Sequence, residues 1–307
     1  MGKADIREIL RKYNLGELTA FSLGNTQYNN PRWIKLETSR GVYFLKEYRE
    51  NGYVEDSFQF LGYLLDNRYP AVEIFRAKDG SFSVTHIGRR YAILEFIEDC
   101  PWEYQINERQ AIQIGKYLGK LHMLGINYPY STAYADYNHF YQLMDNGRKT
   151  LSSIPESLKS AVEFMYYNMP KTNFMEGMPR STCHMEFTKR HLVFRDERLI
   201  KVFDWDLVSK DYMLGDLGTA MTAGLQDGLN YKILAGLLRG YNEERPLTGL
   251  ERQHLYGAIA FGVFKNAIWG LFGFYPNFDG LPIEHLKEFT KYPKNEFDNA
   301  LARELRF

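Results

Sequence analysis

The sequence predicts an α+β fold, and three observations predict it. Short segments of strand composition crowd the first part of the chain, apolar residues switch to helical spacing beyond Pro101-Trp102, and a late strand-turn-strand unit ends on a carboxylate. With 307 residues, 45% of them apolar, the chain is long enough for two domains or two lobes and should bury a sizeable core.

The first element is an amphipathic helix. Asp5, Arg7, Glu8, Arg11 and Lys12 interrupt Ile6, Ile9 and Leu10 where a signal peptide would need an unbroken apolar stretch. Leu18 to Leu23, Arg32 to Glu37 and Val42 to Tyr48 then read as a three-strand meander, separated by the turn-rich residues 24–30 and by Ser39-Arg40-Gly41. A helix is expected from about Val54 to Asn67, followed by paired strands at Phe82 to His86 and Arg90 to Ile97. Beyond them, Ala111, Ile114, Leu118 and Leu121 fall on one helical face, and Tyr137 to Tyr167 reads as further helix. Pro170 to Pro179 is a loop leading into Cys183 to Phe194. There a polar loop feeds an apolar run, Arg195 to Arg198 form a charged turn, and a second apolar run delivers Asp204-Trp205-Asp206 at its end. Carboxylates presented in this way suit magnesium and phosphate chemistry. Ala258 to Phe274 is the most apolar stretch, but it is shorter than a membrane span and carries Lys265 and Asn266. It reads as a buried core helix followed by an aromatic turn.

Composition narrows the function. The formal net charge is zero and no basic block occurs, so nothing supports a sequence-independent grip on nucleic acid. Cys100 and Cys183 are far apart and lack metal-type spacing, which points to a reducing cytoplasm rather than a disulfide framework or a zinc finger. No membrane segment is expected, and nothing in the sequence points to an oligomeric state.

The segment from His184 to Asp206 resembles the aminoglycoside phosphotransferase and choline kinase group, relatives of protein kinases, whose loop reads His-x-Asp-x-x-x-x-Asn and whose next strand ends in Ile-Asp-Trp or Ile-Asp-Phe. The family's catalytic-base Asp falls on Glu186, its metal-binding Asn on His191, and its main metal-binding Asp on the intact Asp204. Glu186 keeps the carboxylate but adds a methylene, and misplacing a catalytic group by about 1 Å costs on the order of a hundredfold. His191 offers nitrogen where magnesium prefers oxygen, which favours manganese, zinc or nickel. Lys189 and Arg190, inside the loop, either neutralise a transferring phosphoryl group or face solvent.

The resemblance runs from about Leu18 to Leu217 and implies a bilobal, protein-kinase-like fold. Its first lobe, residues 1–97, would be a small antiparallel sheet with helices that binds nucleotide; its second, residues 98–307, would be mainly helical and hold the catalytic loop and substrate. Gly24 and Asn25 lie where the family has a phosphate-covering loop, although an ordinary hairpin turn fits them equally. Gly24 would permit unusual backbone geometry there. Lys46 matches the phosphate-pairing lysine, with Glu55, or less well Asp56, as the carboxylate that holds it. The carbonyl of Glu95 and the amide of Ile97 would meet the adenine edge. Leu118-Gly119-Lys120-Leu121-His122 matches a family helix in which Gly119 permits close packing and His122 is structural. Asp216 would accept hydrogen bonds from the loop backbone.

The activity so implied is ATP-dependent phosphotransfer to a hydroxyl of a small molecule, with Mg2+ or Mn2+. In the family the acceptor is an aminoglycoside, choline, homoserine, a sugar or a protein hydroxyl, and Asp206, Trp102, Trp269 and Phe272 to Tyr275 either line that pocket or pack the core. Two further readings stand beside it. The altered Glu186 and His191 suit a noncatalytic nucleotide sensor or scaffold, a role compatible with the kinase-like proteins of bacterial spore coats. His184, Glu186, His191, Asp204 and Asp206 are also legitimate ligands for a transition-metal hydrolase, though their spacing matches no common metal motif.

Overall fold

A computed structural model describes residues 2–24, 33–48, 54–98, 105–129, 156–168, 175, 177–226, 228–268 and 281–305. Asn25, Cys100, Trp102, Trp269 and residues 272–275 lie outside these described residues. The chain forms two compact units, one of Met1–Pro101 with Lys201–Asp206 and the other of Trp102–Ile200 with Leu207–Phe307. Lys201–Asp206 thus groups with the first unit, although the sequence places it after the His184–His191 loop.

In the first unit, α1 (Lys3–Arg11) starts where the Gly2 amide donates to the Asp5 carboxylate at 2.7 Å. That bond, then His86, holds the Asp5 carboxyl below its ordinary range. Ile6, Ile9 and Leu10 form the buried stripe. The strands β1 (Leu18–Leu23), β2 (Trp33–Thr38) and β3 (Gly41–Tyr48) come next, then α2 (Val54–Asp66), β4 (Ser83–His86) and β5 (Arg89–Glu95). All five strands pair antiparallel in the order β1-β2-β3-β5-β4. Register sorts the side chains. Ile34, Leu36, Tyr43, Leu45, Tyr91 and Ile93 join the α1 residues in one core, so their alternates Trp33, Phe44 and Lys46 lie on the opposite sheet face.

The late segment is stitched to this unit by backbone bonds. The Val202 amide donates to the Pro70 carbonyl at 2.7 Å, and the Val72 amide to the Val202 carbonyl at 2.8 Å. Trp205 is buried with its ring edge-on to Phe60 and Tyr69, and its indole N–H donates to the Val202 carbonyl at 3.0 Å. These contacts give the carboxylates on either side of Trp205 a rigid base.

The second unit is mainly helical. Its elements are α3 (Glu108–Ile126), α4 (Glu156–Asn168), β6 (Arg180–Cys183), β7 (Leu192–Arg195), β8 (Arg198–Val202, whose last two residues belong to the first unit), β9 (Ser209–Tyr212), α5 (Met213–Met221), α6 (Tyr231–Glu244), α7 (Gly249–Gln253), α8 (Leu255–Ile268), α9 (Leu281–Phe289) and α10 (Lys294–Leu305). Asn107 and Gln110 cap α3 reciprocally at 3.0 and 2.9 Å. Glycines then let helices touch. A Cβ on Gly115 of α3 would lie 1.8 Å from the Leu237 carbonyl of α6, and one on Gly218 of α5 would lie 1.9 Å from the Ala258 carbonyl of α8. Gly119 serves the expected packing role, with the Tyr241 carbonyl 2.9 Å from such a Cβ.

The most apolar stretch is α8, buried along most of its length, Lys265 included. Among the described residues no helix is long and apolar enough to cross a membrane. The β7–β8 hairpin turns at Asp196 and Glu197, with φ of 48° and 61°, the paired left-handed geometry of a tight hairpin.

Candidate active site

Lys46 is the centre of the first unit's polar cluster. Its ammonium lies 2.8 Å from Asp204 Oδ1, 2.6 Å from Asp206 Oδ2 and 5.3 Å from the centre of the Tyr48 ring. Burial by itself would favour the neutral amine, but the two carboxylates outweigh it and hold the lysine pKa well above its ordinary value. Lys46 is therefore a permanent cation at neutral pH. Tyr48 stays a phenol, because burial and the Asp206 charge push its pKa far up.

The expected partner of Lys46 is corrected here. Glu55, on the first turn of α2, accepts from the Ser83 hydroxyl at 3.0 Å and faces Arg90 at 3.8 Å. Asp204 and Asp206 take its place at the ammonium. Gly24 is also corrected: its φ is not in the left-handed region, its amide donates to the Trp33 carbonyl at 3.0 Å, and a Cβ there would sit 2.0 Å from the Trp33 ring. Its glycine identity answers to tryptophan packing, and its N–H is already committed. Glu95 ends β5 with its carboxylate accepting from Lys201 at 2.6 Å and from the Glu73 amide at 3.1 Å; half-buried Ile97 follows the strand.

The second unit carries the loop. Asp216, fully buried on the first turn of α5, accepts from the amides of His184 at 2.9 Å and Met185 at 3.0 Å. This is the backbone clamp expected from the sequence. His122 is structural as expected, buried between the Asp216 carboxylate at 3.2 Å and the Tyr241 hydroxyl at 2.7 Å. Burial lowers the His122 pKa. Burial alone would raise the Asp216 pKa, but the His122 bond and nearby cations bring it below its ordinary value.

Within the loop, the Glu186 amide donates to His184 Nδ1 at 3.2 Å, and the Glu186 carbonyl accepts from His191 Nδ1 at 2.8 Å. A carbonyl can only accept, so His191 carries its proton on Nδ1 and, when neutral, its lone pair on Nε2. Lys189 and Arg190 share the short 3-10 turn Lys189–His191. Arg190 is exposed and Lys189 half-buried, and burial followed by the Arg190 charge lowers the Lys189 pKa.

Each unit holds one strained residue in its functional segment, Met185 at φ 64° and Asp204 at φ 63°. Left-handed backbone at such residues costs on the order of 1–3 kcal/mol and persists only where surrounding contacts over-determine it. Sequence reasoning did not single out Asp206 as a partner of Lys46. Strand alternation could not have shown it, because Asp204 is left-handed and the chain turns at Asp206.

An antiparallel five-strand sheet with its lysine strand, followed by a helical unit with a clamped loop, defines a protein-kinase-like α+β fold. Solved structures share it: the microcompartment-associated aminopropanol kinase aligns with TM-score 0.66 at 13% identity over 99% of this chain and 100% of that one. Spectinomycin phosphotransferase in complex with ADP and spectinomycin aligns with TM-score 0.65 at 12% identity over 100% and 99%. Residues 23–251 match the phosphotransferase enzyme family, and the chain belongs to that family. Its class is therefore a phosphotransferase. Homoserine kinase of Nitrobacter hamburgensis is 22% identical over 258 residues, 82% of this chain and 78% of that one. Membership of a phosphotransferase family favours phosphoryl transfer over the hydrolase reading.

Proposed function

We propose that this chain transfers the terminal phosphoryl group of ATP to a hydroxyl of a small molecule, with an altered but working catalytic loop. The observation that carries the reading is the Lys46 ammonium held by Asp204 and Asp206. Two hard carboxylates around one cation are a donor set that fits magnesium, so Asp204 and Asp206 would hold the ion, and His191 Nε2 would add a nitrogen donor that tolerates manganese. Bound there, the metal would neutralise phosphate charge. Lys46 then pairs with phosphate oxygens, a role for which its permanent charge suits it. The Glu95 carbonyl and the Ile97 amide take the adenine edge, and the family resemblance would assign the residues that follow Gly24, Asn25 first, to covering the phosphates. Residues 1–97 with the Lys201–Asp206 segment are the nucleotide-binding part, and residues 98–307 otherwise form the substrate part.

Glu186 orients the acceptor hydroxyl and takes its proton, while Lys189 and Arg190 offset charge on the transferring group. Positioning supplies most of the acceleration in such a reaction, so the added methylene of Glu186 slows the chemistry without removing it. The homoserine kinases among the relatives and the aminopropanol kinase among the fold neighbours support a small hydroxyl-bearing amine as acceptor.

The test is a calorimetric ATP titration with magnesium, with manganese and with EDTA, on the native chain and on Asp204→Asn. Turnover assays with homoserine, aminopropanol, choline and spectinomycin follow. Metal-dependent binding lost in Asp204→Asn supports the reading, and unchanged turnover in that variant overturns the metal role. The second reading, a noncatalytic nucleotide sensor or scaffold such as a spore-coat-type protein, rests on the Glu186 and His191 letters. A folded Glu186→Asp/His191→Asn variant that gains turnover marks an impaired kinase; one without any gain favours the scaffold.

A further inference from the structure

A line of buried polar side chains runs from the catalytic loop to the far end of α6. Asp216 Oδ2 meets His122 Nε2 at 3.2 Å, His122 Nδ1 meets the Tyr241 hydroxyl at 2.7 Å, and that hydroxyl meets Arg245 Nη1 at 3.1 Å. Arg245 Nη1 also lies 2.8 Å from Glu251 Oε1, an ionic contact, while Glu251 Oε2 caps α7 by accepting from the Thr248 amide at 2.9 Å. Asp216, His122, Tyr241 and Glu251 are 0% exposed and Arg245 is 7% exposed.

The donors in this line can point only one way. Asp216 already accepts from two loop amides, so it is a carboxylate, and the nitrogen facing it must carry a proton. His122 is then protonated on Nε2. Tyr241 has no acceptor other than His122 Nδ1 among the described residues, and its oxygen accepts from Arg245. The neutral Nε2–H tautomer satisfies every one of these groups. The other tautomer would set a lone pair against a carboxylate oxygen. An imidazolium would leave the Tyr241 hydrogen without an acceptor and add a second positive charge beside Arg245. The other polar groups nearby do not change this. The Cys183 thiol is held by the Ser181 and Asp211 carbonyls, and His184 and Lys265 both favour the Asp216 carboxylate form.

We propose that Tyr241 and Arg245 are positioning residues for the loop that carries Glu186, acting by locking His122 in its Nε2–H tautomer and so fixing the Asp216 carboxylate that clamps the loop backbone. A buried polar chain is seldom a better stabiliser than apolar packing of the same volume, so what it contributes is orientation. Glu186 follows directly on the two clamped amides, and a turn of the Asp216 carboxylate would move it. The kinetic half of the proposal rests on the phosphotransferase reading; the tautomer half does not.

The experiment is nitrogen-15 spectroscopy of the histidine rings in the whole native chain, with His122 assigned by its loss in His122→Gln, followed by the same spectrum and ATP kinetics for Tyr241→Phe. The native ring should show Nε2–H with an unprotonated Nδ1 hydrogen-bonded to a donor, and Tyr241→Phe should remove the signature of that bond. The same variant should lower kcat about 5-fold, the effect of one lost buried hydrogen bond, with the KM for ATP unchanged. Arg245→Lys, which keeps the charge beside Glu251, should fall between the two. A native His122 protonated on Nδ1 or on both nitrogens overturns the proposal, as does a folded Tyr241→Phe with native ring shifts and native kcat. Should Tyr241→Phe fail to fold, the native spectrum and Arg245→Lys decide. A native chain without turnover sinks the phosphotransferase reading and leaves the tautomer to be judged by the spectrum alone.

Discussion

Lys46 in the first unit and Asp216 in the second are both charged groups drawn out of water, yet they are held by opposite means. Lys46 meets two carboxylates that are themselves about a third exposed, an ion-pair arrangement with one hydrogen bond, to Asp204. Asp216 is fully buried and takes directed bonds from two amides and an imidazole. Exposed charges trade partners at little cost, whereas buried ones lose their full desolvation when a partner leaves. The first arrangement suits a site that must receive and release ligand, and the second suits a frame that must not move.

The largest effect should come from breaking the frame. Asp216→Ala leaves the His184 and Met185 amides and the His122 N–H without their acceptor, and is expected to destabilise the chain by about 3–5 kcal/mol in urea unfolding. A loss as small as that of a surface substitution would erase the contrast between the two regions. Asp204→Asn should do the reverse, leaving the unfolding midpoint near native while lowering phosphotransfer on the order of a hundredfold or more.

Packing of the frame is tested next by Gly115→Ala. Its Cβ would meet a backbone carbonyl that cannot rotate away, and about 1–3 kcal/mol should be lost as α3 and α6 separate.

Stability measured against pH should separate the regions by direction. His122 and Asp216 have folded pKa values below their ordinary ones, so the unfolded chain binds more protons as the medium acidifies. Their contributions are complete above about pH 6.5 and about pH 4 respectively and are lost as pH falls through each folded value. Lys46 has a raised pKa, so its contribution is complete below about pH 10.4 and is lost as pH rises through the folded value. His122→Gln should flatten the first acid limb and leave the alkaline one unchanged. The smallest effect is expected of Glu55→Gln, within about 0.5 kcal/mol and without change in ATP affinity, because Glu55 serves Ser83 and Arg90. Asp206→Asn should alter ATP affinity clearly, since it loosens one of the two holds on Lys46.

Much of the fold was legible in the residues themselves. The strand meander, α2, the apolar stripe of α3 and the hairpin before Asp204 each rest on spacing that operates within a few residues, and each was found close to its expected place. Asp216 was legible through the family resemblance, which places a structural Asp at the opening of a helix. For Gly24 the sequence left two readings open, and the Trp33 ring that packs against it leaves no mark on local pattern. Glu55 was misread because the family resemblance supplies a helix carboxylate for the lysine but does not fix the helix register against the strand.

Sequence alone therefore determined the strand meander, α2, the β4–β5 pair and α3, the carboxylate delivered at Asp204 and the two altered letters at Glu186 and His191. Tertiary structure decided which charges meet. Lys46 and Asp204 are 158 residues apart, and His122 and Tyr241 are 119 apart. Backbone periodicity reports neighbours within a turn or a strand pair, whereas contacts over such separations are set by how whole elements pack. Burial then decides which carboxylate stays exchangeable and which becomes fixed.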